Sequence, residues 1–154
     1  MIIQYLKQFS QLSFSQKRAL FEALYRLSFV VIQIKFRSMS WFMENSIEGN
    51  SVDADKNVND AVITAGTNAA ESLHESIRLA SRLLPFSCEC IPRSIVLRDM
   101  LQKEGVAAKV RVGVKKENVS LQSHAWVEVY GEAICENNAL NANFTPIDSG
   151  NETS

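Results

Sequence analysis

The 154 residues suit one domain of ordinary size, and a hydrophobic content of 46% is enough to build a core. A formal net charge of −1 leaves no basic footprint for nucleic acid. Three cysteines, Cys88, Cys90 and Cys135, form an odd set without framework spacing, which argues for free thiols in a reducing, cytoplasmic setting. The first residues lack the basic region, apolar run and cleavage site of a signal peptide.

Ser13 and Gln16 have capping-box spacing and predict a helix running to about Arg37. Leu20, Leu24, Leu27, Val31 and Ile34 recur at helical intervals, and Phe29, Val30 and Ile32 make its second half apolar nearly all round. Lys17, Arg18, Glu22, Arg26, Lys35 and Arg37 interrupt it too often for a membrane span. The helix is expected to pack on the domain; an interfacial membrane helix or a partner-docking helix are the alternatives. Residues 44–59 are polar and turn-rich and read as a loop or hinge. A second helix follows, capped by Asn57, with Val62, Ala69, Leu73, Ile77, Ala80 and Leu84 on one face, and Pro85 ends it. His74, among Glu71, Glu75 and Arg78, reads as a solvated helix residue.

The stretch from Ile91 to Glu104 predicts an amphipathic helix. Ile91, Ser94, Leu97 and Leu101 share one face, with Val96 and Met100 beside it, and Arg98, Asp99, Gln102 and Lys103 turn outward. Pro92 fits only in a first turn, and Gly105 suits the left-handed residue that closes the last one. Cys90 therefore stands at a helix N-terminus, where free N–H groups and the macrodipole favour an anion. After Gly105 the period becomes two. Val106, Ala108, Val110, Val112 and Val114 predict a half-buried strand, and residues 115–122 read as a polar connection. On a second strand, residues 123–130, Ala125, Val127 and Val129 alternate with His124, Trp126, Glu128 and Tyr130. A turn at Gly131 leads to a short third strand, residues 132–136, and residues 144–147 suggest a last edge element. The expected class is α+β: helices first, then a small antiparallel sheet. Residues 1–56 form a helical region and loop, 57–148 the core, and 149–154 a tail.

A cysteine at a helix start, followed by a sheet bearing a histidine near a strand start, is the layout of papain-like and transglutaminase-like cysteine enzymes. The thiolate needs an imidazole to accept and return its proton, and a third group to orient the ring. His124 is the candidate base, and Glu136, Asn137 or Asn138 the candidate orienter. The plain alternative makes Cys90 a half-core thiol and His124 a packed strand residue. A structural zinc on Cys88, Cys90, His124 and Cys135 has the right ligand types, but its Cys-x-Cys pair lacks a second close pair. Trp126 is expected to pack or to shield the pair from water, and Lys109, Arg111, Lys115 and Lys116 to form a solvated face.

Three segments carry a family resemblance: Cys90-Ile-Pro-Arg-Ser-Ile-Val-Leu-Arg-Asp-Met-Leu with Gly105, Val110-Arg-Val-Gly-Val-Lys-Lys116, and Ser123-His-Ala-Trp-Val-Glu128 with Gly131. Together, over roughly residues 85–148, they resemble the stand-alone leader peptidases of lasso-peptide biosynthesis. The resemblance implies a transglutaminase-like fold and a Cys–His–acid triad, with Cys90 as nucleophile and His124 as base. The family usually carries Asp where this chain offers Glu136. It further implies a precursor peptide as substrate, a separate leader-recognition protein and a macrolactam synthetase as partners, and hydrolysis without metal or organic cofactor. With no recognition domain ahead of the core, the stand-alone type is expected. A member of the same fold that only binds the precursor or the synthetase is the alternative.

Overall fold

The computed structural model describes residues 11–37, 59–117, 120–134 and 143–146. Among the described residues three helices come first: α1 (Phe14–Phe36), α2 (Asp60–Leu83) and α3 (Cys90–Lys103). Four strands follow: β1 (Ala108–Glu117), β2 (Ser120–Val129), β3 (Glu132–Ile134) and β4 (Thr145–Pro146). They form one antiparallel sheet in the order β3-β2-β1-β4. The class is α+β, as the periodicities predict.

Local chemistry sets the ends of these elements. The capping box at α1 is complete: Gln16 N donates to Ser13 Oγ, and Ser13 N donates to Gln16 Oε1 at 2.9 Å. The cap of α2 is Asn59 rather than Asn57, its Oδ1 accepting from Val62 N at 3.0 Å. Either asparagine can cap, and periodicity cannot separate them by half a turn. Helix α3 closes on Gly105 at φ +80°, with Gly105 N donating to Gln102 O and Val106 N to Leu101 O, the paired bonds of a left-handed C-terminal closure. Tyr130 (φ 52°) and Gly131 (φ 88°) form the two-residue turn between β2 and β3.

Helix α3 is the centre of the fold, packed by α1 and α2 on one side and by β1 and β2 on the other. Consequently it is not amphipathic. Pro92, Ser94, Ile95, Val96, Leu97, Arg98, Met100 and Leu101 are all buried. Arg98, expected to face outward, is 1% exposed, and its Nε and Nη2 both donate to Asp99 Oδ1, at 2.9 and 2.6 Å. The carboxylate of the next residue offsets the cost of taking that cation out of water. Helix α2 also turns a slightly different face inward than periodicity suggests. Val62 is exposed, while Gly66, Ala70, Leu73, Ser76, Ile77 and Ala80 are buried. Gly66 lets α2 come close to the β2–β3 turn, because a Cβ there would stand 2.9 Å from the Tyr130 ring.

The expected polar connection over 115–122 is mostly sheet: Lys115 pairs with Gln122, Lys116 with Leu121 and Glu117 with Ser120. This outer half of the hairpin buries no side-chain face, so the alternation that reveals a strand is absent there. On α1, Leu20, Ala23, Leu27, Val30 and Val31 face the core. Lys103 of α3 reaches Glu22 of α1 at 2.8 Å. Among the described residues no helix is long and apolar enough to cross a membrane.

Candidate active site

Cys90 is the first residue of α3, half-buried, behind an extended N-cap residue, Glu89. Glu89 makes no side-chain capping bond, so the N–H groups of Cys90 and Ile91 stay outside the helical ladder, whose first bond runs from Arg93 N to Glu89 O. Pro92 has no N–H to strand, and its fixed φ starts the helix here. Four residues on, Ser94 Oγ donates to the Ala125 carbonyl at 3.0 Å in a buried setting.

The sheet ladder shows why that carbonyl is available. Tyr130 N donates to Ala107 O, and in an antiparallel pair the residues bonded to a given neighbour alternate. Even-numbered residues of β2, including His124, therefore turn their main-chain groups to β1, and odd-numbered ones, including Ala125, turn away from it. On that other side, among the described residues, β3 pairs as far as Ile134 opposite Val127. Through Ser94 and Ala125 the first turns of α3 are tied to β2 next to His124. A cavity of about 20 Å³, room for about one water, is lined there by Cys90, Arg93, Ser94, Ala125, Trp126 and His74 among others.

His74 was expected in solvent, but it is half-buried and faces this cavity. Its charged neighbours in sequence say only what the helix surface carries. Its place beside the buried Leu73 and one turn before Ile77 is the signal that puts it at the rim of the packed face. His124 is not among the residues lining the cavity. Its ring stacks on Trp126 (centroids 6.2 Å apart, planes at 23°) and tilts against Phe144 (5.3 Å, 41°).

The Trp126 ring and Phe144 lie over Gly113, which pairs with His124 on one side and with Pro146 of β4 on the other. A Cβ on residue 113 would stand 2.9 Å from both Phe144 Cβ and Trp126 Cζ3. Trp126 is only 4% exposed and contacts both halves of the site, lining the Cys90 cavity and stacking on His124. Its Nε1 donates to Glu128 Oε1 at 3.3 Å, and Arg111 Nε donates to Glu128 Oε2 at 3.0 Å. Arg111 is therefore half-buried and paired, not part of a solvated face.

Cys88 is half-buried two residues before Cys90, its thiol 4.0 Å from Phe86 O. Burial pushes this thiol up from its ordinary value, and the Arg93 guanidinium only partly opposes the shift. Glu136, Asn137, Asn138 and Cys135 lie outside the described residues. Among the described residues no three of His, Cys, Asp and Glu gather as a metal set. Larger hollows of about 330 and 640 Å³ are lined by α1 with α2 and α3 residues, but neither includes Cys90 or His124.

The profile of the transglutaminase-like superfamily matches residues 30–149, from within α1 to beyond β4. No curated protein and no solved structure gives a significant match.

Proposed function

The chain belongs to the transglutaminase-like superfamily, and from that premise we propose that it is a cysteine peptidase removing the leader from a ribosomally made precursor during lasso-peptide maturation. Transglutaminase-like domains commonly carry cysteine peptidase or transglutaminase chemistry. The observation that supports a nucleophilic role is the junction at Ser94: it joins the open N-terminal turn carrying Cys90 to the strand residue next to His124.

In this mechanism the Cys90 thiolate attacks the scissile carbonyl carbon, forming a C–S bond and an oxyanion. The N–H groups at the start of α3 stabilise that oxyanion. Collapse breaks the C–N bond, and the His124 imidazolium gives its proton to the departing amine. His124 then takes a proton from water, whose oxygen attacks the thioester, and the acid leaves as the thiol is restored. Glu136, two residues past the end of β3, orients the imidazole; Asn137 and Asn138 are the alternatives for that role. The leader arrives on a separate recognition protein, and a macrolactam synthetase takes the freed core.

The presence of His74 at the Cys90 cavity supports a second assignment of the base. Mass-spectrometric analysis of a precursor incubated with the protein and the recognition partner separates the readings. Cleavage at one site, lost in Cys90→Ala and His124→Ala and retained in His74→Ala, is the expected result. Loss in His74→Ala with retention in His124→Ala moves the base to α2. Binding without cleavage by the wild type makes the protein a non-catalytic escort.

A further inference from the structure

Helix α1 is apolar on two opposite faces. One packs on the core through Leu20, Ala23, Leu27, Val30 and Val31. The other carries Phe14, Phe21, Tyr25, Phe29, Ile32 and Phe36, whose exposures run from 51% to 86%. At 3.6 residues per turn these six fall within about 80° of one another, a single stripe along the whole helix. Taking roughly 200 Å² per aromatic side chain, the stripe presents on the order of 800 Å². That exceeds the roughly 300–600 Å² of the largest apolar patch on an ordinary monomer. It matches the roughly 800 Å² that one partner contributes to a standard interface.

The spacing of the aromatic residues identifies the stripe's occupant, because Phe14, Phe21, Tyr25, Phe29 and Phe36 are placed symmetrically about Tyr25. A two-fold axis through Tyr25 sets Phe14 opposite Phe36, Phe21 opposite Phe29, and Tyr25 opposite itself. Ile32 meets Arg18, whose aliphatic stem can lie over it while the guanidinium stays in water. Charges obey the same symmetry. Lys17 falls opposite Gln33, Glu22 opposite Ser28, Arg26 opposite Leu24 and Lys35 opposite Ser15, so no like charges face each other. An unrelated partner or a bilayer would not require this symmetry, whereas an interface between identical copies requires self-complementarity.

We propose that the outer face of α1 is a homodimer interface, in which two copies pair their α1 helices antiparallel about Tyr25. The interface is independent of the peptidase reading, since none of its residues belongs to the candidate site.

The test is sedimentation velocity of the full chain at tens of micromolar. Wild type should sediment as a dimer. Tyr25→Glu puts two carboxylates on the axis and should weaken the dimer on the order of a hundredfold. Because Tyr25 is 72% exposed, its circular dichroism and melting should match a monomeric fold. Register is read by oxidative cross-linking against the wild-type background of native cysteines. Tyr25→Cys should cross-link to itself. Phe14→Cys should not, because its two copies lie roughly 33 Å apart along the helices. A mixture of Phe14→Cys with Phe36→Cys should cross-link. A monomeric wild type, a dimer indifferent to Tyr25→Glu, or cross-linking that ignores this register overturns the proposal. A monomer that co-sediments with anionic phosphatidylglycerol vesicles through the stripe overturns it in favour of a membrane surface.

Discussion

The bond from Ser94 to the Ala125 carbonyl predicts a coupled loss of stability and activity when it is removed. Ser94 is 7% exposed, and its 3.0 Å bond spans from α3 to β2 in a buried setting. Ser94→Ala deletes only the hydroxyl and takes this donor away from the Ala125 carbonyl. The net worth of a neutral hydrogen bond is about 0.5–1.5 kcal/mol, but a buried acceptor left unsatisfied costs about 1–3 kcal/mol. For a chain of this size each kcal/mol shifts Tm by about 2–4 °C, so the variant should melt about 2–12 °C lower. The same deletion frees the start of α3 from the strand beside His124, and small misplacements of reacting groups cost up to about a hundredfold in rate. A fall in kcat with little change in KM is therefore expected, read under saturating recognition partner. Ser94→Thr keeps the hydroxyl and should recover part of both losses. A Ser94→Ala variant with lowered Tm and unchanged kcat would make the bond purely architectural. Unchanged Tm would show that it contributes nothing.

Gly113→Ala should cost about 1–3 kcal/mol by overpacking, since Phe144 Cβ and the Trp126 ring each stand 2.9 Å from the new methyl; differential scanning calorimetry and kcat report the fold and the displaced His124 ring separately, and unchanged values in both refute the packing argument. Cys88, with its thiol pushed up by burial, should alkylate more slowly than a free thiol at any pH below its own titration, which iodoacetamide labelling followed by peptide mapping measures. Glu22 is held below the ordinary carboxylate range, first by its bond from Lys103, against burial and with help from Arg26. Its contribution is present above the unfolded pKa and fades as pH falls through the folded one. Glu22→Gln should therefore lower stability at neutral pH by less than about 1 kcal/mol, with the difference vanishing in acid unfolding curves, because Lys103 is about half in solvent.

What the sequence made legible was what neighbours decide among themselves. The capping box at Ser13 and Gln16, the left-handed Gly105, the turn at Tyr130 and Gly131 and the alternation from Ala108 to Val112 are settled by residues a few positions apart. Arg98 could not be read that way. Helical spacing gives its direction around α3, but whether that direction meets water depends on elements distant in sequence. The same holds for His74, whose charged neighbours describe one side of α2 while its ring lies at the rim of the other. Gly113 looked like one more small residue in a strand. Its role appears only once β4, the last described strand, brings Phe144 over it. That Cys90 stands at a helix start and His124 on a strand was legible because those positions are local. Glu136 lies outside the described residues.

The two halves of the candidate site are supported independently. Helix α3 is buried from Pro92 to Leu101 except at Arg93 and Asp99, so Cys90 is the end of a rod clamped by α1, α2 and the inner face of the sheet. His124 alternates with Ala125 along β2, and its ring is set by Trp126 and Phe144, which in turn lie over Gly113. A loss in the core therefore acts on the position of the proposed nucleophile, and a change around Trp126 and Phe144 acts on the proposed base. Only β2 between His124 and Trp126 belongs to both. Ser94 grips it from the helix side through Ala125, and Trp126 reaches the cavity and the imidazole from within the strand. A site supported in this way keeps its geometry only while that short piece of strand stays straight and in register. The buried Ser94 hydroxyl, the nearly buried Trp126 indole and Gly113 all bear on that piece of strand.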